Sequence, residues 1–218
     1  MSALIFDLDG TLVDSIADLC EALNHAHRAL SLRDLQPDEV RRMVGDGAAT
    51  LVARALEAAG GAPTLQERAL ELFMRAYVSA PGERAVVYPG VAETLALLAD
   101  RGLTMGVCTN KPARPAADLL AQLGLAGFFT SLVGGDTLPE RKPHPAPARL
   151  SLAELGVSAD QAVFIGDSHV DVATARAAGL RAIAVSYGYA RGPAEALGAD
   201  ALIHAFAELP GALDRLAS

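Results

Sequence analysis

The sequence predicts an α/β protein, a doubly wound parallel sheet broken after its first strand by an all-helical insertion. Three observations predict it. Short apolar runs bounded by Gly, Asp or Asn recur along the chain and suit strands buried on both faces. Stretches of helical spacing separate most of them, and repeated strand–helix alternation is the pattern of a doubly wound sheet. The rhythm fails once, between Asp14 and about Arg84, where helical patterns occur without a convincing strand.

In order, the first strand is expected from Ala3 to Asp7. The segment after it exceeds an ordinary strand-to-helix loop and is read as an inserted domain. Its apolar stripes are Leu51, Val52, Ala55, Leu56 and Ala59, then Ala69, Leu72, Phe73, Ala76 and Tyr77. Residues 1–13 and 85–218 are assigned to the sheet domain and 14–84 to the insertion, with hinging linkers near Thr11 to Ser15 and Ser79 to Val87. Past the return at Val86-Val87-Tyr88-Pro89, Val91, Leu95, Leu98 and Ala99 fall on one helical face. Gly102 supplies the stop. Further strands are expected at Leu103–Cys108, Ser131–Gly134, Ala162–Ile165, Arg181–Val185 and Ala201–Ile203.

Composition narrows the function. Of 218 residues, 51% are hydrophobic and 20% charged, an ordinary globular balance rather than a disordered one. The formal charge of −8 argues against nucleic acid and anionic membranes as partners, because neutralising phosphates takes an excess of Lys and Arg. No run approaches bilayer length and no basic leader precedes Asp7, so a cytoplasmic location is expected. Cys20 and Cys108 share no metal-ligand spacing and read as reduced core thiols.

Four motifs carry chemistry. In Asp7-Leu8-Asp9-Gly10-Thr11-Leu12-Val13-Asp14-Ser15, Asp7 ends a strand, where open α/β sheets bind ligands. Period-two alternation places Asp7 and Asp9 on one side, and two close carboxylates call for a cation such as Mg²⁺. Gly10 lets the chain turn and exposes backbone N–H groups to an anion. Cys108-Thr109-Asn110-Lys111 offers a hydroxyl and amides at the next strand end, although an isolated Thr there is more often a helix cap. Lys142 stands in Pro139-Glu140-Arg141-Lys142-Pro143-His144-Pro145, where an ammonium could neutralise a carboxylate and a phosphoryl group; His144 is read as structural. Phe164-Ile165-Gly166-Asp167-Ser168-His169-Val170-Asp171 brings Asp167 to another strand end, and Ser168-x-x-Asp171 matches a capping box.

These motifs, in this order, resemble those of the haloacid-dehalogenase-like hydrolase superfamily across nearly the whole chain. The resemblance implies a Rossmann-like core with a helical cap inserted after the first motif. It implies Asp7 as nucleophile, Asp9 as general acid/base, and Thr109 and Lys142 as catalytic phosphate binders, with Leu8, Gly10 and Asn110 beside them. Mg²⁺ would be held by Asp7, Asp9 (through its backbone carbonyl) and Asp167, supported by Asp171. Val44-Gly45-Asp46-Gly47, Ala53-Arg54-Ala55-Leu56, Tyr88-Pro89-Gly90-Val91, Gly134-Gly135-Asp136 and Tyr187-Gly188-Tyr189 narrow the likeness to bacterial phosphoglycolate phosphatases. The implied reaction is Mg²⁺-dependent hydrolysis of a small phosphomonoester, 2-phosphoglycolate first, through an aspartyl phosphate. A phosphomutase of the β-phosphoglucomutase kind is the nearest rival. A phosphatase for another sugar phosphate, nucleotide or pyrophosphate follows, and a non-catalytic regulatory protein is remote. Gly45, Asp46 and Gly47 are the candidate cap loop, and Arg42 and Arg54 the candidate cations for a substrate carboxylate. Asp46 replaces the Asn usual between those glycines and would repel a carboxylate if it pointed inward.

Overall fold

The computed structural model describes residues 1–79 and 82–217, apart from the side chain of Ala217. Residues 80 and 81, within the expected second linker, lie outside the described residues. The sheet strands are β1 (Ala3–Phe6), β4 (Thr104–Cys108), β5 (Ser131–Val133), β6 (Ala162–Gly166), β7 (Arg181–Val185) and β8 (Ala201–Ile203). Two further strands, β2 (Val13–Asp14) and β3 (Val86–Val87), stand apart from that sheet. The sheet order is β5-β4-β1-β6-β7-β8 and every pair is parallel. Its helices are α5 (Val91–Asp100), α6 (Ala113–Gln122), α7 (Ala146–Leu155), α8 (His169–Ala178) and α9 (Leu209–Ala217).

Both faces of the sheet are covered, which is why its strands read as continuous apolar runs. Along β1 the alternation splits the core: Leu4 and Phe6 join one cluster with Val107, Ile165 and Phe206. Ala3 and Ile5 join the other with Phe164, Leu152 and Leu180. On α5, Val91, Leu95 and Leu98 are buried, while Ala99 turns outward one step past the stripe. Gly102 ends that turn with φ +78°.

Helices α1 (Ile16–Ala29), α2 (Pro37–Arg41), α3 (Ala48–Ala58) and α4 (Gln66–Ser79) occupy the segment after β1. They close a third core of their own around Leu23, Val40, Leu51, Val52, Phe73 and Tyr77. Where the chain leaves and rejoins the sheet, β2 and β3 pair antiparallel, Val13 with Val87 and Asp14 with Val86. The linkers expected as hinges are therefore hydrogen-bonded to each other. Strands of two residues leave no period to read, which is why the sequence hides them. No helix among the described residues is long and apolar enough to cross a membrane. Cys20 and Cys108 are both buried and unpaired by disulfide.

Candidate active site

Register brings the motifs together. Phe6 sits opposite Val107 and Ile165, so Asp7, Cys108 and Gly166 emerge at one carboxyl edge, with Thr109 and Asp167 next in chain. The chain leaves β1 toward β4 on one side and later returns to β6 on the other, and ligands bind at such switch points. The loop between β5 and α7 then carries Lys142 inward until it is 4% exposed.

Lys142 is the centre of charge. Its Nζ lies 2.6 Å from Asp171 Oδ1 and 2.9 Å from Asp7 Oδ1, over the Phe164 ring. Burial alone would lower its pKa, but Asp171 and Asp7 outweigh this and hold it ionised. The Asp7 contact is an ion pair with Lys142, and among the described residues Asp7 Oδ1 has no well-aligned hydrogen bond beside it. Burial raises the Asp7 carboxyl from 3.8 to about 6, against the lowering effect of Lys142. Burial, then the charges of Asp171 and Asp7, push Asp167 well above the ordinary value.

Ligand oxygens of Asp7, Asp167 and Asp171 lie within 4.8 Å of one another. Three carboxylates facing one ammonium leave negative charge uncompensated, and an all-oxygen donor set suits Mg²⁺. Asp171, however, is already saturated. Its Oδ1 takes Lys142, and its Oδ2 accepts from Asp167 N, Ser168 N and Ser168 Oγ at 3.2, 3.0 and 2.7 Å. The expected capping box is formed, and the same carboxylate orients Lys142. Asp171 thus supports the site, and Asp7 and Asp167 offer the freer oxygens.

Asp7 and Asp9 both line the same cavity, so they face one site as expected, although strand alternation is not what puts them there. Strand geometry stops at Phe6; Leu8 bends and its carbonyl collects the N–H groups of Thr11, Leu12 and Val13. The Asp9 carboxylate accepts Ser15 Oγ at 2.6 Å and Lys111 Nζ at 2.9 Å. Gly10 is reassigned. Its N–H donates to Val13 O, so it is not a free anion donor. It is needed for its φ of +85° and because a Cβ there would come within 2.4 Å of Asp167 Oδ2.

Thr109 is buried, and its Oγ1 accepts the Lys111 N–H at 3.3 Å. It does not cap a helix, since α6 begins only at Ala113 behind Pro112. Asn110 Nδ2 bridges Gly45 O and Lys142 O at 3.1 and 3.0 Å, tying the Gly45 loop to the lysine loop. His144 is exposed and accepts Ala146 N–H, as a structural residue would.

A cavity of about 50 Å³ lies over this edge, lined by Asp7, Asp9, Thr109, Asn110 and Lys111 below. Leu19, Phe73, Met74 and Tyr77 from the helices, and Val44, Gly45 and Gly47 from the loop, close it from above. Asp46 does not line it. Its carboxylate is clamped by Arg54 at 2.5 Å and Arg191 at 3.0 Å, whose hydrogen bonds outweigh burial and lower its pKa. Arg42 is exposed and Arg54 is spent on Asp46 and Met43 O, so neither expected cation reaches the cavity. Among the described lining residues the cation is Lys111, 4.7 Å over the Tyr77 ring and 6% exposed.

The sequence profile described as haloacid dehalogenase-like hydrolase matches residues 4–185. The chain belongs to that family. A relative, phosphoglycolate phosphatase of Rhodospirillum rubrum, is 50% identical over 213 residues, covering 95% of this chain and 88% of the relative. The solved structure of a predicted phosphoglycolate phosphatase from Haemophilus somnus 129pt has a TM-score of 0.92 at 31% identity, over 98% of each chain. CbbY from Rhodobacter sphaeroides, solved in complex with xylulose-(1,5)bisphosphate, has a TM-score of 0.80 at 29% identity, over 96% of each chain. This haloacid dehalogenase-like hydrolase is an enzyme, of the phosphatase kind.

Within the family frame, sequence reasoning missed Lys111. The residue was visible two positions after Thr109, but an ammonium three positions past a strand end reads as solvated until the helices are seen to cover it. Tyr77 gave a partial signal, as a polar-tipped aromatic on an otherwise apolar stripe.

Proposed function

We propose that the chain is a Mg²⁺-dependent phosphatase acting on 2-phosphoglycolate, with residues 14–84 as the cap that closes over the site. The single observation carrying this reading is the buried cluster in which Lys142 pairs with Asp7 and Asp171 beside Asp167, three carboxylates around one ammonium. Asp7, Asp167 and the Asp9 backbone carbonyl would hold the metal. Bound there, Mg²⁺ would offset charge on the phosphoryl oxygens.

The Asp7 carboxylate attacks phosphorus in line; the Oδ–P bond forms as the bond to the leaving oxygen breaks. Lys142 offsets the charge that develops, with Thr109 and the Leu8 amide as further donors. Asp9 enters the cycle protonated and gives that proton to the leaving alkoxide, then takes one from the water that cleaves the aspartyl phosphate and restores Asp7. The helical side of the cavity is apolar, and closure of the cap over it would exclude bulk water. Lys111, in the lining, would meet the substrate carboxylate by sharing its ammonium between that group and Asp9, whose oxygens lie 2.9 and 3.1 Å away.

The xylulose-(1,5)bisphosphate complex of CbbY favours a second reading, a phosphatase for a small sugar phosphate. A panel of 2-phosphoglycolate, sugar phosphates, nucleotides and pyrophosphate compared by kcat/KM decides between them. A preference for a sugar phosphate would overturn the phosphoglycolate assignment and keep the phosphatase. Isomerisation of a hexose phosphate without phosphate release would move the chain to the mutases.

Lys111→Met supplies a second check. A charge-assisted hydrogen bond contributes about 1.5–3 kcal/mol, so the ratio of kcat/KM for 2-phosphoglycolate over ethyl phosphate is expected to fall ~10- to 100-fold. An unchanged ratio would remove Lys111 from carboxylate recognition, whatever the shared loss through Asp9.

The metal reading predicts a pH dependence. Folded Asp7 holds its proton more tightly than the unfolded chain does, because its pKa is raised to about 6. That contribution to stability is present below about pH 4 and is lost as pH rises through about 6. Metal-free protein is therefore expected to melt lower at pH 7 than at pH 5, and Mg²⁺ to raise Tm more at pH 7. Equal Mg²⁺ shifts at the two pH values would argue that the ion binds elsewhere. A chelator should remove activity reversibly, and turnover without divalent metal would exclude the metal mechanism.

A further inference from the structure

Tyr187-Gly188-Tyr189 carries none of the roles above, yet the segment touches the metal carboxylates, the β2 junction and the helical insertion at once. Tyr189 is 6% exposed. Its backbone N–H donates to Asp167 Oδ2 at 2.6 Å. Its phenol donates to Asp14 Oδ1 at 2.8 Å and accepts the Ser15 N–H at 2.9 Å, at the start of the insertion. Arg41, on α2, lies 5.1 Å over its ring and pairs with Asp14 Oδ2 at 3.2 Å.

Both neighbours extend the same path. The Tyr187 hydroxyl donates to Thr11 O at 2.9 Å, and Thr11 Oγ1 donates to Asp167 Oδ1 at 3.4 Å. Arg191, two residues on, donates to Val44 O and Asp46 Oδ2 at 3.2 and 3.0 Å, reaching the Gly45–Gly47 loop. Between them Gly188 leaves no slack: a Cβ there would lie 2.3 Å from Asp167 Cβ and 2.5 Å from Gly10 O. The Tyr189 amide and, through Tyr187, Thr11 thus hold both oxygens of Asp167.

We propose that Tyr189 is a positioning residue which makes the placement of the Asp167 carboxylate depend on the seating of the helical insertion, with Arg191 as the outer anchor of the same strap. The inference rests on the Mg²⁺ reading above. A short, packed segment bonded at both ends moves as one piece, so releasing Arg191 from Asp46 shifts Tyr189 and with it Asp167. Linkage makes the effect reciprocal: Mg²⁺ on Asp167 favours the seated insertion.

Two variants separate coupling from packing. Tyr189→Phe keeps the ring and the amide but loses both phenol hydrogen bonds. Arg191→Gln removes the outer anchor without touching a metal carboxylate. Titration calorimetry with Mg²⁺ alone, without substrate, is expected to give a Kd weakened about 3- to 10-fold in each. The double variant should be little weaker than the weaker single one, because both changes break one path. A structural role alone would lower Tm and leave Kd in place. A Kd within twofold of wild type for Arg191→Gln, or full additivity in the double variant, would overturn the inference. Mg²⁺ binding without phosphate release by the wild type would sink the phosphatase reading and leave the coupling standing. Hydrolysis with an unmoved Kd sinks the coupling alone, and a wild type that binds no Mg²⁺ sinks both.

Discussion

Asp7→Asn is expected to abolish Mg²⁺-dependent phosphate release while leaving the protein folded. The amide keeps the shape of the carboxylate but supplies no anionic oxygen to phosphorus. A loss of at least ~10³-fold in kcat, about 4 kcal/mol or more, follows if the covalent route is the only one. Stability should not fall. The substitution removes one of three crowded acids, while Lys142 keeps its 2.6 Å partner Asp171. Phosphate release and a melting curve on the same sample check both halves. Residual turnover above a hundredth of wild type would dismiss Asp7 as nucleophile.

Lys142→Ala is expected to damage stability and catalysis together. The ammonium is 4% exposed and compensates Asp7 and Asp171, which are themselves buried. Removing one partner of a buried ion pair leaves the other charge uncompensated, at a cost of about 3–5 kcal/mol. For a chain of this length that is roughly 6–20 °C in Tm. Sign matters here: the stranded acids recover by taking protons, so the deficit against wild type should be smaller at pH 5 than at pH 7. Loss of the charge at the phosphoryl group would lower kcat by a further ~10²- to 10³-fold. A Tm within about 2 °C of wild type in chelator at pH 7 would show that the cluster is hydrated rather than dry.

Local signals carried the strands, because a parallel strand covered on both faces must be apolar throughout. The runs at 3–7, 131–134 and 181–185 ended within a residue of the observed strands. The helical stripes at 51–56 and 69–77 were legible for the same reason, as burial of one face dictates the spacing. The β2–β3 ribbon was not legible, since four residues pairing across more than seventy positions leave no periodic trace. Nor was the turn at Leu8, which replaces strand alternation there and leaves Asp9 paired with Lys111. The expected cap cations failed on a similar point: nearness in sequence to the Gly45 loop says nothing about which way an arginine turns.

What the sequence determined by itself was the inventory and its order: Asp7 and Asp9, Thr109, Lys142 and Asp167, each at or beyond a strand end. Strand ends are written in apolar periodicity, and in a doubly wound sheet neighbouring strand ends share an edge. Only the tertiary structure decided what each charge faces. Asp171 holds Lys142, Lys111 holds Asp9, and Arg54 with Arg191 turns Asp46 out of the cavity. A buried charge settles on whichever partner the packed core leaves within reach, and that choice is made across the fold rather than along the chain.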